Sequence, residues 1–205
     1  MSKLFKVYVD GALFYHPHLS ELAITQAEIT EDAEHIDSFT LSAPYNHPYI
    51  NLIKPMSSVI VCKKGDDLVF EGRAIDEGSD FYNTHTWTCE SCLAYLKDFV
   101  QPPFDYSGPL KDMLAQFLDI HNARVEEQKR FVLGNVTVTD DSDYISYSNS
   151  EYSVTMDAIS EKLIETHGGY LRVRYEGDLK YLDYLADFDE TSVQTVEYGK
   201  NLLDV

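Results

Sequence analysis

Short runs of alternating apolar and polar residues, closely interrupted by turn formers, constrain this chain more than any other feature. "LFKVYVDG" (residues 4–11) alternates and ends in Asp10-Gly11, a hairpin-type turn. "ELAITQAEIT" and "DSFTLSAP" follow, the second closing at Pro44. "YNHPYINLIKP" is a Pro-punctuated connection, and "SSVIVCKKGDDLVFEGRAID" reads as two apolar strands around Lys64-Gly65-Asp66-Asp67. After "EGSDFYN", the strand "THTWTCE" sets Thr84, Thr86 and Thr88 against His85, Trp87 and Cys89. Many short strands at this spacing predict a barrel or sandwich, not a βαβ sheet. The abundance of Tyr (15) and Phe (10) agrees, since aromatic residues favour pleated, half-buried surfaces.

The pattern changes near residue 100. "SCLAYLKDFV" reads as a short helix stopped by Pro102-Pro103. "GPLKDMLAQFLDIHNARV" places Leu110, Met113, Leu114, Phe117, Leu118 and His121 on one helical face. "RFVLGNVTVTD" returns to strand. "SVTMDAISEKLIETHGG" predicts a helix with Ser153 or Thr155 as N-cap and Gly168-Gly169 as stop. "YLRVRYEGDLKYLDYL" forms a hairpin around Glu176-Gly177-Asp178, and "SVQTVEYGKNLLDV" begins as a strand. The expected class is α+β: a β-rich barrel-like domain over 1–100, an α+β domain over 101–190 and a strand in 191–205. The apolar "NLLDV" end, without a polar tail, reads as a cut through a longer polypeptide.

Charge narrows the function. Sixteen basic against 35 acidic residues give −19, which argues against nucleic-acid binding, because that needs cations to displace counterions from phosphate. It argues equally against adhesion to an anionic membrane. No apolar run approaches the ~20 residues of a membrane span, and "MSKLFKVYVDG" lacks the apolar core of a signal peptide. Three cysteines without an export signal point to a reducing compartment.

The one arrangement resembling site chemistry is the C-x-x-C pair Cys89 and Cys92. With Cys62 and His85 it supplies donor types suited to zinc, but no spacing brings the four together. Nor does "TCESC" match a thioredoxin-type site, whose first thiol opens a helix after a βαβ strand. Buried, unreactive thiols are the better reading. The histidines are scattered, with no H-E-x-x-H, and "HPH" (16–18) and "NHP" (46–48) are turn sequences. "DDSDYISYSNSE" (140–151) fails the EF-hand pattern and reads as a solvated acidic turn. No nucleophile elbow, phosphate-cradling glycine loop or singled-out carboxylate pair is present. The predicted sets of catalytic, cofactor-binding and metal-binding residues are therefore all none.

Four stretches in order resemble a known family: "FEGRAIDEGSDFYNTHTWTCESCLAYLKDFVQPP", "HNARVEEQKRFVLGNVTV", "GGYLRVRYEGDLKYLDYL" and "YGKNLLDV". Together they cover most of residues 68–205 and are similar to the N-terminal structural part of the tail-tip protein of long-tailed phages and prophages. That family is also called tail-associated lysin, prophage endopeptidase tail or phage minor structural protein. In it, "TCE" followed by a short helix and a Pro-containing segment is a strand-to-helix turn. The first cysteine is typical and a small residue stands where Ser91 does, whereas Cys92 is outside the pattern. The resemblance therefore implies no metal.

It further implies a fold like the baseplate hub of contractile-tailed phages. There, discontinuous tube domains form a trimeric ring and α+β lateral domains lie outside it. Residues 1–100 and 191–205 would belong to the tube domain and 101–190 to the lateral domain. The implied role is structural: a trimer at the distal end of the tail tube in the virion, made in the bacterial cytoplasm. Its implied partners are the distal tail protein, the tape measure protein, and DNA passing through the lumen without specific binding. An acidic lumen would suit that passage. Members often carry a hydrolase, peptidase or receptor-binding region further on, so a tail peptidase or peptidoglycan hydrolase is one alternative; a receptor- or carbohydrate-binding module, suggested by the Tyr content and Trp87, is the other.

Overall fold

Asp10 and Gly11 both take positive φ (48° and 80°), as a two-residue hairpin turn matched to strand twist requires. They join β1 (Phe5–Val9) to β2 (Ala12–Tyr15). The Asp10 carboxylate also accepts hydrogen bonds from Val59 N (2.8 Å) and Ser58 Oγ (2.9 Å), fixing where the next strand begins. The computed structural model describes residues 4–30, 36–140, 144–177 and 179–187. The strand read in 191–205, Asp178 in the last hairpin turn and residues 141–143 of the acidic turn lie outside these.

Five further strands complete the first sheet: β3 (Gln26–Thr30), β4 (Ser38–Ala43), β5 (Val59–Lys64), β6 (Asp67–Ser79) and β7 (His85–Ser91). Their order is β2-β1-β5-β6-β7-β4-β3, and every neighbouring pair is antiparallel. Alternation sends Val7, Val9, Phe39, Leu41, Ile60, Cys62, Phe70, Trp87 and Cys89 to one face, where they form a single core. Val7 of β1 and Ile29 of β3 stand toward opposite ends of the strand order yet line one cleft, so the sheet is curled. The barrel or sandwich suggested by the strand spacing is realised as an open half-barrel.

The connection between β4 and β5 does more than turn the chain. His47 is 3% exposed, with Nε2 3.0 Å from the Phe14 carbonyl and its ring stacked on Phe14 at 4.2 Å. Burial lowers its pKa, so the neutral ring closes the end of the core.

The chain leaves β7 through a 3-10 turn, Cys92–Lys97, and then builds an α+β region. Its elements are β8 (Val100–Gln101), β9 (Phe104–Gly108), α1 (Leu110–Asn122), β10 (Val132–Val136), β11 (Ile145–Asn149) and β12 (Ser153–Val154), followed by α2 (Thr155–Ile159), a π-helical stretch Ser160–Ile164, α3 (Glu165–His167), β13 (Tyr170–Glu176) and β14 (Leu179–Leu185). A three-stranded sheet runs β10-β14-β13, with β10 parallel and β13 antiparallel to β14. Strands β9 and β11 pair, as do β8 and β12. The predicted face of α1 is the buried one, and it shares one core with Leu93, Tyr95 and Leu96 of the 3-10 turn and with Leu182 and Tyr184 of β14.

One expected cap is not made. Ser153 lies in β12, Val154 occupies the cap position, and no side chain caps α2. The Thr155 hydroxyl donates to the Phe99 carbonyl (3.0 Å) and accepts from Gln101 Nε2 (2.9 Å), which also donates to the Phe117 carbonyl (3.0 Å). A buried hydroxyl satisfied in this way ties β8 to α1 and α2, and is unavailable as a cap. The Gly168 stop holds: at φ 74° its N–H donates to the Ile164 carbonyl.

Close approach of β6 and β7 depends on Gly72. A Cβ there would stand 2.0 Å from the Glu90 carbonyl oxygen, inside the backbone of the paired strand. Gly72→Ala is expected to cost about 1–3 kcal/mol, read as a lower denaturant midpoint at constant slope. An unchanged midpoint would contradict this packing.

Candidate functional site

Strand β6 has two working faces. Phe70 and Ala74 enter the half-barrel core, whereas Glu71 and Arg73, offset by one residue, point to the other side and meet the α+β region. Arg73 is 5% exposed. Its Nε donates to Glu90 at 2.9 Å, and its two terminal nitrogens form a bidentate pair with Asp98 at 2.6 and 2.7 Å. Lys129 adds a third contact to Asp98 at 2.8 Å, and the guanidinium lies over the Tyr95 ring. Nearby, Lys180 of β14 bonds Glu71 (2.9 Å) and the Gln128 carbonyl (2.7 Å). The joint between the two cores is thus ionic and multiply hydrogen-bonded.

Burial would raise the Asp98 carboxyl, but the hydrogen bonds and charges of Arg73 and Lys129 outweigh it and hold the pKa below its ordinary value. The joint's contribution is therefore whole above roughly pH 5 and falls away as pH drops through the unfolded value of about 3.9 toward the lower folded one.

The C-x-x-C pair straddles this joint. Cys89 points from β7 into the half-barrel core, while Cys92, at the start of the 3-10 turn, joins the second core. Its Sγ lies 2.9 Å from Tyr175 Oη. Cys62 sits in the sheet core with Cys89. Burial pushes all three thiols up, Cys62 to about 11 and Cys89 and Cys92 to about 12. His85 turns to Glu77, with Nδ1 2.7 Å from its carboxylate. These four do not converge, and the described residues contain no group of three or more His, Cys, Asp or Glu placed to hold a metal. The acidic stretch around 140–151 contributes β11, whose Tyr147 is buried against Phe104 and Phe117.

Two further surface features stand out among the described residues, neither singled out by sequence reasoning. At the tip of the β6–β7 hairpin, Phe81 and Tyr82 are 92% and 77% exposed, with rings edge-on at 5.4 Å. Asp80 holds the tip in shape: its Oδ1 accepts from Tyr82 N and Thr84 N, both at 2.8 Å, and Asn83 takes a left-handed φ of 56°. The sequence signal was "DFYN", two aromatics between turn formers. The second feature is the cleft between the curled ends of the sheet, about 520 Å³, lined by Phe5, Val7, Ile24, Ile29, Cys62 and Val69 among others.

A curled seven-stranded half-barrel joined to a smaller α+β region is an architecture found in phage tail proteins. The 43 kDa tail protein of prophage MuSo2 from Shewanella oneidensis superposes with a TM-score of 0.58 at 15% identity, over 90% of this chain and 55% of that one. A tail protein from Neisseria meningitidis MC58 gives 0.58 at 14% identity, over 88% of this chain and 50% of its own. Prophage tail protein gp18 from Listeria monocytogenes EGD-e gives 0.57 at 12% identity, over 88% and 50%. The chain thus spans about half the length of each. No protein-family model matches the sequence, and no curated protein matches it either.

Replacing Arg73 by Met leaves Glu90 and Asp98 facing each other beside a low-dielectric wall. We expect a loss of about 3 kcal/mol at neutral pH, the lower end for buried pairs because both carboxylates remain partly wet. Below roughly pH 5 the variant's stability should also fall less steeply with acid than the wild type's. Urea melts across this range measure both; an unchanged acid limb would contradict the role given to Asp98.

Proposed function

We propose that this chain is a structural component of the tail of a long-tailed phage or prophage, belonging to a hub-like ring at the distal end of the tail tube. The observation that carries this reading is the fold likeness to three phage tail proteins over about nine-tenths of the chain. In this reading the half-barrel is a tube domain, the α+β region a lateral domain, and three copies complete a ring below the distal tail protein that opens to release the tape measure protein and DNA. In this reading the role of the chain is architectural.

Physical features of the chain support the role. A curled sheet with its core on one face and ordered ionic contacts on the other suits a wall segment, which must keep its curvature under load. The −19 charge suits a passage for DNA, because a duplex moving past an acidic wall meets no cationic trap. Light scattering on the purified full gene product should give the mass of a trimer. A monomer at all concentrations that also fails to bind the distal tail protein would remove the ring.

A further inference from the structure

The connection from β4 to β5, residues 44–58, is tied down at its two ends by different chemistry. At the far end Met56 donates its N–H to the Ala74 carbonyl (2.7 Å) and Ser58 Oγ donates to the Asp10 carboxylate (2.9 Å). There Met56 and Ser57 also line a polar recess with Arg73, Tyr95 and Lys129 of the ionic joint. Midway, Ile53 enters the half-barrel core. At the near end the tie is His47.

The contacts of His47 fix its tautomer. The backbone N–H of Tyr49 can only donate, and it lies 3.2 Å from Nδ1, so Nδ1 is the acceptor. Nε2 then carries the hydrogen and donates it to the Phe14 carbonyl at 3.0 Å. A second proton would fall on Nδ1, facing the Tyr49 N–H, and would turn that hydrogen bond into two opposed donors in a buried site. The bond to the Phe14 carbonyl favours the charged ring, but burial outweighs it and holds the pKa below 6.5. No charged side chain acts on this balance. The titratable side chains on the segments packed around the ring are Tyr15 on β2, His16 just beyond it, and Tyr45, Tyr49 and Lys54 on the connection itself. Behind Phe14, on β7, His85 is bonded to Glu77.

We propose that residues 44–58 form a strap latched by the neutral His47 ring: mild acid protonates the ring and opens the near end of the strap, Pro44–Leu52, while Met56 and Ser58 hold the other end. The turn that carries the ring moves with it, because the His47 and Tyr49 carbonyls accept from Ile50 and Leu52 N–H at 3.1 and 2.9 Å. The ties at the far end involve no histidine, and the Asp98 carboxyl of the joint is held below its ordinary value, so the joint stays charged while the latch titrates. Opening uncovers Phe14, 0% exposed in the closed form, so acid presents an apolar patch at one end of the half-barrel. The device does not depend on where the chain assembles.

Above pH 6.5 the ring is neutral whether the strap is open or closed, and pH has no effect on the latch. Below 6.5 the open form takes up a proton that the closed form refuses. The open fraction therefore rises as pH falls, by up to about tenfold per pH unit, until the pH passes the lowered value of the closed ring.

The test is NMR on the 205-residue chain from roughly pH 7.5 to 5. Ring nitrogen shifts of His47 should show the Nε2–H tautomer at neutral pH and a midpoint below 6.5. Amide hydrogen exchange, corrected for the intrinsic chemical rate, should show the protection of Tyr49, Ile50 and Leu52 falling by up to about tenfold per pH unit, with Met56 and strands β1 and β5 better protected at every pH. His47→Gln keeps one donor and one acceptor without a titrating group, so in this variant the fall should vanish. If the variant does not fold, the two measurements on the wild type still decide. A ring that titrates while these amides keep their protection would overturn the latch. So would an Nδ1–H tautomer, a midpoint at or above 6.5, or an equal loss of protection across the sheet, which is general acid unfolding.

Discussion

Arg73 has to be charged and almost dry at once, and the two-part architecture depends on how that is arranged. A guanidinium 5% exposed is tolerable only if its donors are met, and here Glu90 and Asp98 meet them in ordered, partly bidentate geometry. Because Arg73 lies on β6 between core residues Phe70 and Ala74, its placement follows from the strand that organises the half-barrel. Because Asp98 ends the 3-10 turn, the same contact sets where the second region starts. Lys129 and Lys180 extend the contact to the loop after α1 and to β14. Apolar packing holds each core together, and this ionic joint sets how the two are placed.

Much of the local structure was legible in the sequence. The strand alternation, the Asp10-Gly11 turn and the buried face of α1 follow from side-chain period and glycine conformation, which act within a few residues. What was not legible depends on distant neighbours. Thr155 has the chemistry of a cap, but Phe99 and Gln101, more than fifty residues earlier, engage its hydroxyl. His47 lies in a turn sequence, yet Phe14 draws it into the core. Whether seven strands close, stack or stay open is set by curvature and by what meets the two edges, and alternation carries neither.

The candidate sites followed the same division. The C-x-x-C pair is the most conspicuous spacing in the chain, yet it spans a change from strand to 3-10 turn and sends its two thiols into different cores. Phe81 and Tyr82, exposed at the β6–β7 tip, are adjacent aromatics in a turn, a pattern that periodicity does not flag. The fold likeness supplied what spacing could not, an overall architecture shared with tail proteins over about nine-tenths of the chain.

The claim at the centre of this account is that the chain is part of the end of a phage tail. The most direct measurement is electron microscopy of the assembled particle, with gold-conjugated antibody raised against the half-barrel. The account predicts label confined to the distal tip of the tail, and threefold averages there with a central opening. Label along the tail shaft, on the head, or absent from particles that contain the protein would contradict it.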